Sequence, residues 1–151
     1  MNMFKKNGGF TLVELIVVIA ILAILAGVAV PAYNGYIAKA QDAKVITELS
    51  AIHTAAQAAN ATAGDINRIT VSKTGKTIVI YAPTNKTLAD NFKTDFVMFY
   101  GAGTCTVNST NTEAKVVLAD ADAVKVANTS YAKGVEWASG KWTAATNEIA
   151  G

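Results

Sequence analysis

Few residues in this chain have the type and spacing for chemistry, and the most unusual is an acid. Glu14 stands inside an otherwise apolar run, Phe10 to Val30, FTLVELIVVIAILAILAGVAV. A carboxylate in such a run is costly unless a partner compensates it, so it reads as a functional group by default. Glu14 also lies only about 6 Å along a helix axis from Phe10, where the positive helix N-terminus and nearby water tolerate a charge. Taken alone it leaves both readings open. Immediately before the run stand Lys5, Lys6, Asn7, Gly8 and Gly9. Other candidates are weaker. Cys105 is the one cysteine, so no internal disulfide forms, and the one histidine, His53, has no cysteine or second histidine with which to share a metal. Asp120 and Asp122 with Glu113 fall short of the six to eight oxygens a hard cation takes. No glycine-rich phosphate loop, nucleophile elbow or carboxylate pair is present. No metal and no cofactor is expected.

The 151 residues suit one modest core. Apolar residues make up 52% and charged residues 16%, with a net charge of +2. Without Lys5 and Lys6 the chain has eleven charges of each sign, so no specific nucleic-acid partner is expected. The 21 residues from Phe10 to Val30 make a helix of about 32 Å, matching a hydrocarbon core of about 30 Å. The lysines ahead of it place the N-terminus in the cytoplasm and send the rest outward. A secretory signal has an apolar region of about 7–15 residues, shorter than this run. A plain signal anchor fits length and charge but leaves Gly8-Gly9 and Glu14 unexplained.

From Ala32 to about Thr62 the pattern stays helical and becomes amphipathic. Val45, Leu49, Ile52, Ala56 and Ala59 recur at spacings of four, three, four and three, one face of a helix. Lys44 and Glu48 are a modest surface pair, and Gly64-Asp65 ends the segment. That apolar face needs a sheet. Arg68–Lys73 and Thr77–Tyr81 read as a hairpin about Thr74-Gly75-Lys76. Leu88–Phe92 reads as a short helical turn, and Asp95–Tyr100 as a further apolar run among the strand signals. Lys115–Leu118 and Ala123–Ala127 flank Ala119–Asp122 as a second hairpin. Val135–Trp137 and Lys141–Thr143 flank Ala138-Ser139-Gly140 as a third. The fold class expected is α+β, a single long N-terminal helix with its C-terminal half packed on an antiparallel sheet. Trp137 and Trp142 are expected as a cross-strand pair, His53 at the helix rim, and Cys105 as a small buried hydrophobe. Asn60, Asn85, Asn108 and Asn128 head glycosylation triplets, to which no modification is assigned.

Lys5-Lys6-Asn7-Gly8-Gly9 followed by Phe10-Thr11-Leu12-Val13-Glu14-Leu15-Ile16 resembles the class III signal of short-leader type IV pilins. The likeness is close over about residues 5–36, with Pro31 and Tyr33 where the family tends to place them. It implies the pilin fold, with a leader 1–9, a membrane and filament-core helix 10–31, and a head 32–151 whose helical part is about 32–62. It implies cleavage of Gly9–Phe10 by a prepilin peptidase and N-methylation of Phe10. Glu14 would pair with the Phe10 amine of a neighbouring copy and so set register. Gly27, Pro31 and Gly35 mark a region where the helix is expected to bend and to melt in the filament. The partners implied are other copies of the chain, the membrane, a platform protein, and cytoplasmic assembly and retraction ATPases. A membrane-stored precursor would become an extracellular filament serving twitching, adhesion, biofilm formation or DNA uptake. A major pilin is expected; a minor pilin or a pseudopilin of a secretion or competence system is the alternative, and a signal-anchored surface enzyme the remote one. The absence of a disulfide departs from many pilins, so the family's receptor-binding loop is not transferred.

Overall fold

A computed structural model of the chain describes residues 9–127 and 129–151. The expectations for Lys5, Lys6 and Gly8 and for the Asn128 triplet lie outside the described residues. The elements are α1 (Leu12–Ala59), β1 (Arg68–Val71), β2 (Thr77–Tyr81), α2 (Phe92–Tyr100), β3 (Thr104–Val107), β4 (Glu113–Val117), β5 (Val135–Ala138) and β6 (Lys141–Ala144). The six strands form one sheet in the order β3-β4-β2-β1-β5-β6. Every neighbouring pair is antiparallel. The fold is α+β, pilin-like, as the pattern of one long helix and a run of short strands requires.

The chain divides into two compact units after Ile37. In the first, α1 presents leucine, isoleucine and valine to the outside along its length. Its most apolar 18-residue window has a mean hydropathy of 3.0 and none of it is buried within the chain, so α1 is long and apolar enough to cross a membrane.

In the second unit, Ala38–Gly151, the apolar stripe of α1 does what its spacing requires. Val45, Leu49, Ile52, Ala56 and Ala59 are buried, joined by Ala55. They pack in one core with the inner residues of the strands: Ile69 and Val71 of β1, Ile78 and Ile80 of β2, Ala114 and Val116 of β4. Strand side chains alternate between faces, so every second residue meets the helix. Each fully buried Leu, Ile or Phe contributes about 1.5–3 kcal/mol relative to exposure. Asn60, fully buried just past α1, closes its end. Its Nδ2 donates to the Gly64 carbonyl at 2.5 Å and its Oδ1 accepts the Ala89 N–H at 3.0 Å.

The first and third hairpins form where expected. Between β1 and β2, the Ser72 N–H donates to the Thr77 carbonyl and the Gly75 N–H to the Ser72 carbonyl, both at 2.8 Å. Gly75 is obligatory: its φ is +69°, and a Cβ there would lie 1.9 Å from the Val124 carbonyl oxygen. Between β5 and β6 the turn is Ser139-Gly140, with φ of 53° and 81°. Positive φ at both positions makes the mirror-image turn that matches strand twist.

Two expectations are corrected. Asp95–Tyr100 belongs to a helix, α2; the turn read within Leu88–Phe92 leads into it, the Phe92 N–H donating to the Ala89 carbonyl at 2.9 Å, while the Leu88 N–H donates to the Asn111 carbonyl at 2.6 Å. Phe92, Phe96 and Tyr100 recur every four residues, which puts them on one helix face, and the first two are fully buried. Gly101, in the left-handed conformation, ends α2 with its N–H on the Val97 carbonyl. The second hairpin is built differently. β4 pairs with β3, Cys105 opposite Val116, and Ala123–Ala127 forms no strand. Val124 and Val126 alternate as in a strand but are buried in a loop that seats on the first hairpin, the Val124 N–H donating to the Gly75 carbonyl at 3.0 Å.

Candidate processing and assembly site

The residues singled out near the N-terminus fall into one turn of structure. Gly9 and Phe10 are non-helical and exposed, and Phe10 is 93% accessible. Thr11 is the N-cap of α1 and Glu14 its third helical residue. The Glu14 N–H donates to Thr11 Oγ1 at 3.2 Å. In return the Thr11 N–H and hydroxyl both donate to Glu14 Oε2 at 2.8 Å. This is a capping box, two otherwise orphaned N–H groups satisfied reciprocally. It fixes the helix start at Leu12 and leaves the Gly9–Phe10 bond outside the helix. One carboxylate oxygen of Glu14 carries both bonds from Thr11, and the Leu15 N–H closes the turn on the Thr11 carbonyl at 3.3 Å. The role of Thr11 was missed from sequence, although Thr-x-x-Glu ahead of an apolar run is its signature.

Gly27, Pro31 and Gly35 all lie inside α1 and far from this turn, Pro31 about 26 Å along the axis from Glu14. A Cβ at Gly27 or Gly35 would meet nothing within 4 Å, so no contact within the chain demands glycine there.

The remaining candidates sit in the head unit and serve packing. Trp137 stands directly opposite Trp142 across β5 and β6, and both are half-buried against the core. The ring of His53 lies 4.3 Å from that of Trp137, tilted by 37°. His53 is therefore packed on the indole rather than merely at the rim. Cys105 is buried; burial pushes its thiol pKa up, partly opposed by the charge of Lys93. Among the described residues no group of three or more His, Cys, Asp or Glu could hold a metal. Asp120 pairs instead with Lys76, which holds its carboxyl below the usual range. Asn60 has both side-chain groups engaged inside the fold, which removes it as a glycan acceptor. Sequence also gave no sign of Asp42. From α1 it accepts the Ser130 N–H at 2.9 Å and hydroxyl at 2.6 Å, and these bonds lower its pKa.

Residues 4–30 match the family described as the prokaryotic N-terminal methylation motif. That motif, together with one long helix and an antiparallel sheet, resembles the type IV pilins. Similar proteins include a type IV major alpha-pilin of Moraxella bovis, 57% identical over 51 residues, covering 34% of this chain and 32% of that protein. Fimbrial protein Q of Moraxella bovis is 45% identical over 51 residues, with the same coverage. A fimbrial protein of Pseudomonas aeruginosa is 38% identical over 55 residues, 36% of each chain. The chain thus spans about a third of the length of the curated relatives it matches. No solved structure gives a significant match.

Proposed function

We propose that this chain is the major structural subunit of a type IV pilus, made as a membrane-held precursor with its N-terminus in the cytoplasm and polymerised into an extracellular filament. The observation that carries the reading is the capping box set against the Gly9–Phe10 bond, at the head of an apolar helix surface left exposed among the described residues. A prepilin peptidase hydrolyses that bond, leaving a carboxylate on Gly9 and an amine on Phe10. Glycine suits a tight peptidase site because it has no side chain. The Phe10 amine, as its free base, then attacks the methyl carbon of a sulfonium donor, whose C–S bond breaks to release a thioether, and the product is a methylated ammonium that carries the positive charge.

In the filament the amine of Phe10 pairs with Glu14 of a neighbouring copy. An unpaired charge in an apolar core is costly, so staggers that leave either group alone are disfavoured. Thr11 holds the carboxylate meanwhile. The helix surface from Leu12 to Val30 serves two apolar surroundings in turn, lipid and then a bundle of other copies, and Gly27 within it and Gly35 beyond it allow close approach. Bending or melting about Pro31 belongs to the assembled state. Cytoplasmic ATPases and a platform protein drive assembly and retraction. The chain itself has no catalytic role.

The experiment is the intact mass of the protein in sheared surface filaments. The expected dominant species begins at methylated Phe10. A chain retaining residues 1–9 and confined to the membrane overturns the reading; a processed chain present only in trace amounts identifies a minor subunit.

A further inference from the structure

Gly8-Gly9-Phe10 offers two glycyl bonds in a row. Glycine suits either bond to a tight peptidase site, so composition alone does not say what holds Gly9–Phe10 ready for hydrolysis. The groups engaged by the Thr11 side chain bear on that question.

In an α-helix each N–H donates to the carbonyl four residues back. A helix continued toward the N-terminus across this bond would put the Glu14 N–H on the Phe10 carbonyl and the Val13 N–H on the Gly9 carbonyl. It would also turn the Thr11 N–H to the Asn7 carbonyl. Two of these donors are already taken. The Glu14 N–H is on Thr11 Oγ1 at 3.2 Å, and the Thr11 N–H is on Glu14 Oε2 at 2.8 Å. The Thr11 hydroxyl also donates to that carboxylate oxygen at 2.8 Å, so one side chain serves as acceptor and donor together. The Thr11 carbonyl accepts the Leu15 N–H at 3.3 Å and so opens the helical ladder. α1 therefore begins at Leu12, and Gly9 and Phe10 stay non-helical and exposed. Conformation matters to the reaction. Water must reach the Gly9 carbonyl carbon and a donor must reach its oxygen, and a carbonyl wound into a helix is already bonded and is covered by the neighbouring turn. The bond and the box both fall within residues 4–30, which match the N-terminal methylation motif.

We propose that Thr11 is a positioning residue for cleavage. Its hydroxyl pins the helix start at Leu12 and keeps the chain from Gly9 to Thr11 extended, so that a peptidase meets the Gly9–Phe10 bond in a form it can hydrolyse. The role rests on the processing reading and adds to it a residue that acts through the backbone rather than on the reacting atoms.

The test follows cleavage of the full-length precursor in detergent micelles by an excess of purified prepilin peptidase, read by intact mass. Thr11→Val keeps the shape and removes the hydroxyl. Cleavage at Gly9–Phe10 should slow by about fivefold, the usual effect of a lost N-cap. Thr11→Ser keeps the cap and should cleave within about twofold of wild type. Adding Leu12→Pro to Thr11→Val should restore the rate, because proline at the first helical position fixes the start and holds the residue before it extended. A contact between the hydroxyl and the peptidase would not be restored by that proline. An unchanged rate in Thr11→Val overturns the proposal, as does slow cleavage of Thr11→Ser or failure of Leu12→Pro to restore the rate. If the wild-type precursor is not cut at Gly9–Phe10, the processing reading falls and the role of Thr11 falls with it. If it is cut there and Thr11→Val is cut as fast, that reading stands and only the positioning role is lost.

Discussion

The imidazole of His53 packs on the indole of Trp137 at 4.3 Å, and the same imidazole has its Nε2 3.3 Å from the Gln57 amide nitrogen. Gln57 Oε1 is already taken by the Ile66 N–H at 3.2 Å, so the amide donates and the imidazole accepts. The neutral ring is thus built into the junction between α1 and β5. Burial lowers the His53 pKa below its ordinary 6.5, against an opposing pull from Asp65. The unfolded chain then takes up its proton at a higher pH than the folded one. Stability is complete above about pH 6.5 and declines as pH falls through the folded value. Thermal unfolding of the wild type should drop between about pH 7.5 and about pH 5 by more than that of His53→Phe. A folded-state titration of His53 at or above 6.5, read by NMR, would contradict this.

Gly75 separates two effects that glycine substitutions usually mix. Gly75→Ala adds a left-handed alanine and drives its Cβ into the Val124 backbone, and should cost about 3–5 kcal/mol. Gly101→Ala has φ of +84° but open space around it, and should cost only about 1–2 kcal/mol. Denaturant unfolding of the two variants gives the comparison; equal losses would show that the loop carrying Val124 yields.

Asn60→Ala leaves the Ala89 N–H and the Gly64 carbonyl without their partner inside the fold. A loss of about 2–4 kcal/mol is expected, with proteolysis appearing first between α1 and α2. Cleavage elsewhere in the head at an unchanged unfolding midpoint would rule out Asn60 as the tie between them.

Ser139 holds φ of 53° in a turn that favours asparagine or glycine. Ser139→Asn should stabilise the head by about 0.5 kcal/mol, visible as a raised denaturant midpoint at unchanged slope. A lowered midpoint would mean that the serine makes a contact outweighing its backbone cost.

What was legible in the sequence follows from how local its cause is. The stripe Val45–Ala59 could be read because helix spacing alone selects it, and the first and third hairpins because Gly75 and Ser139-Gly140 mark their turns. α2 was obscured by the unbroken apolar run Phe96–Tyr100, which hides the four-residue recurrence of Phe92, Phe96 and Tyr100. Val124 and Val126 imitate a strand, and only the distant Gly75 carbonyl decides otherwise. At the N-terminus Glu14 was conspicuous by its cost, whereas Thr11, small and ordinary, was passed over. The bonds from Asp42 to Ser130 and from Asn60 to Ala89 span long stretches of chain, and no spacing rule announces them.

The position of β1 between β2 and β5 has a kinetic consequence. β2 follows β1 across a tight turn and pairs with it early. β5 reaches the other side only after α2, β3 and β4 have passed, to set Arg68 opposite Ala138. Long-range pairings form slowly because the intervening chain must be gathered first. Through that interval one side of β1 shows bare N–H and C=O groups beside Ile69 and Val71, a template for any other extended chain. The arrival of β5, rather than the docking of α1, sets how long each newly made copy is at risk of joining its neighbours in a tangle instead of in order.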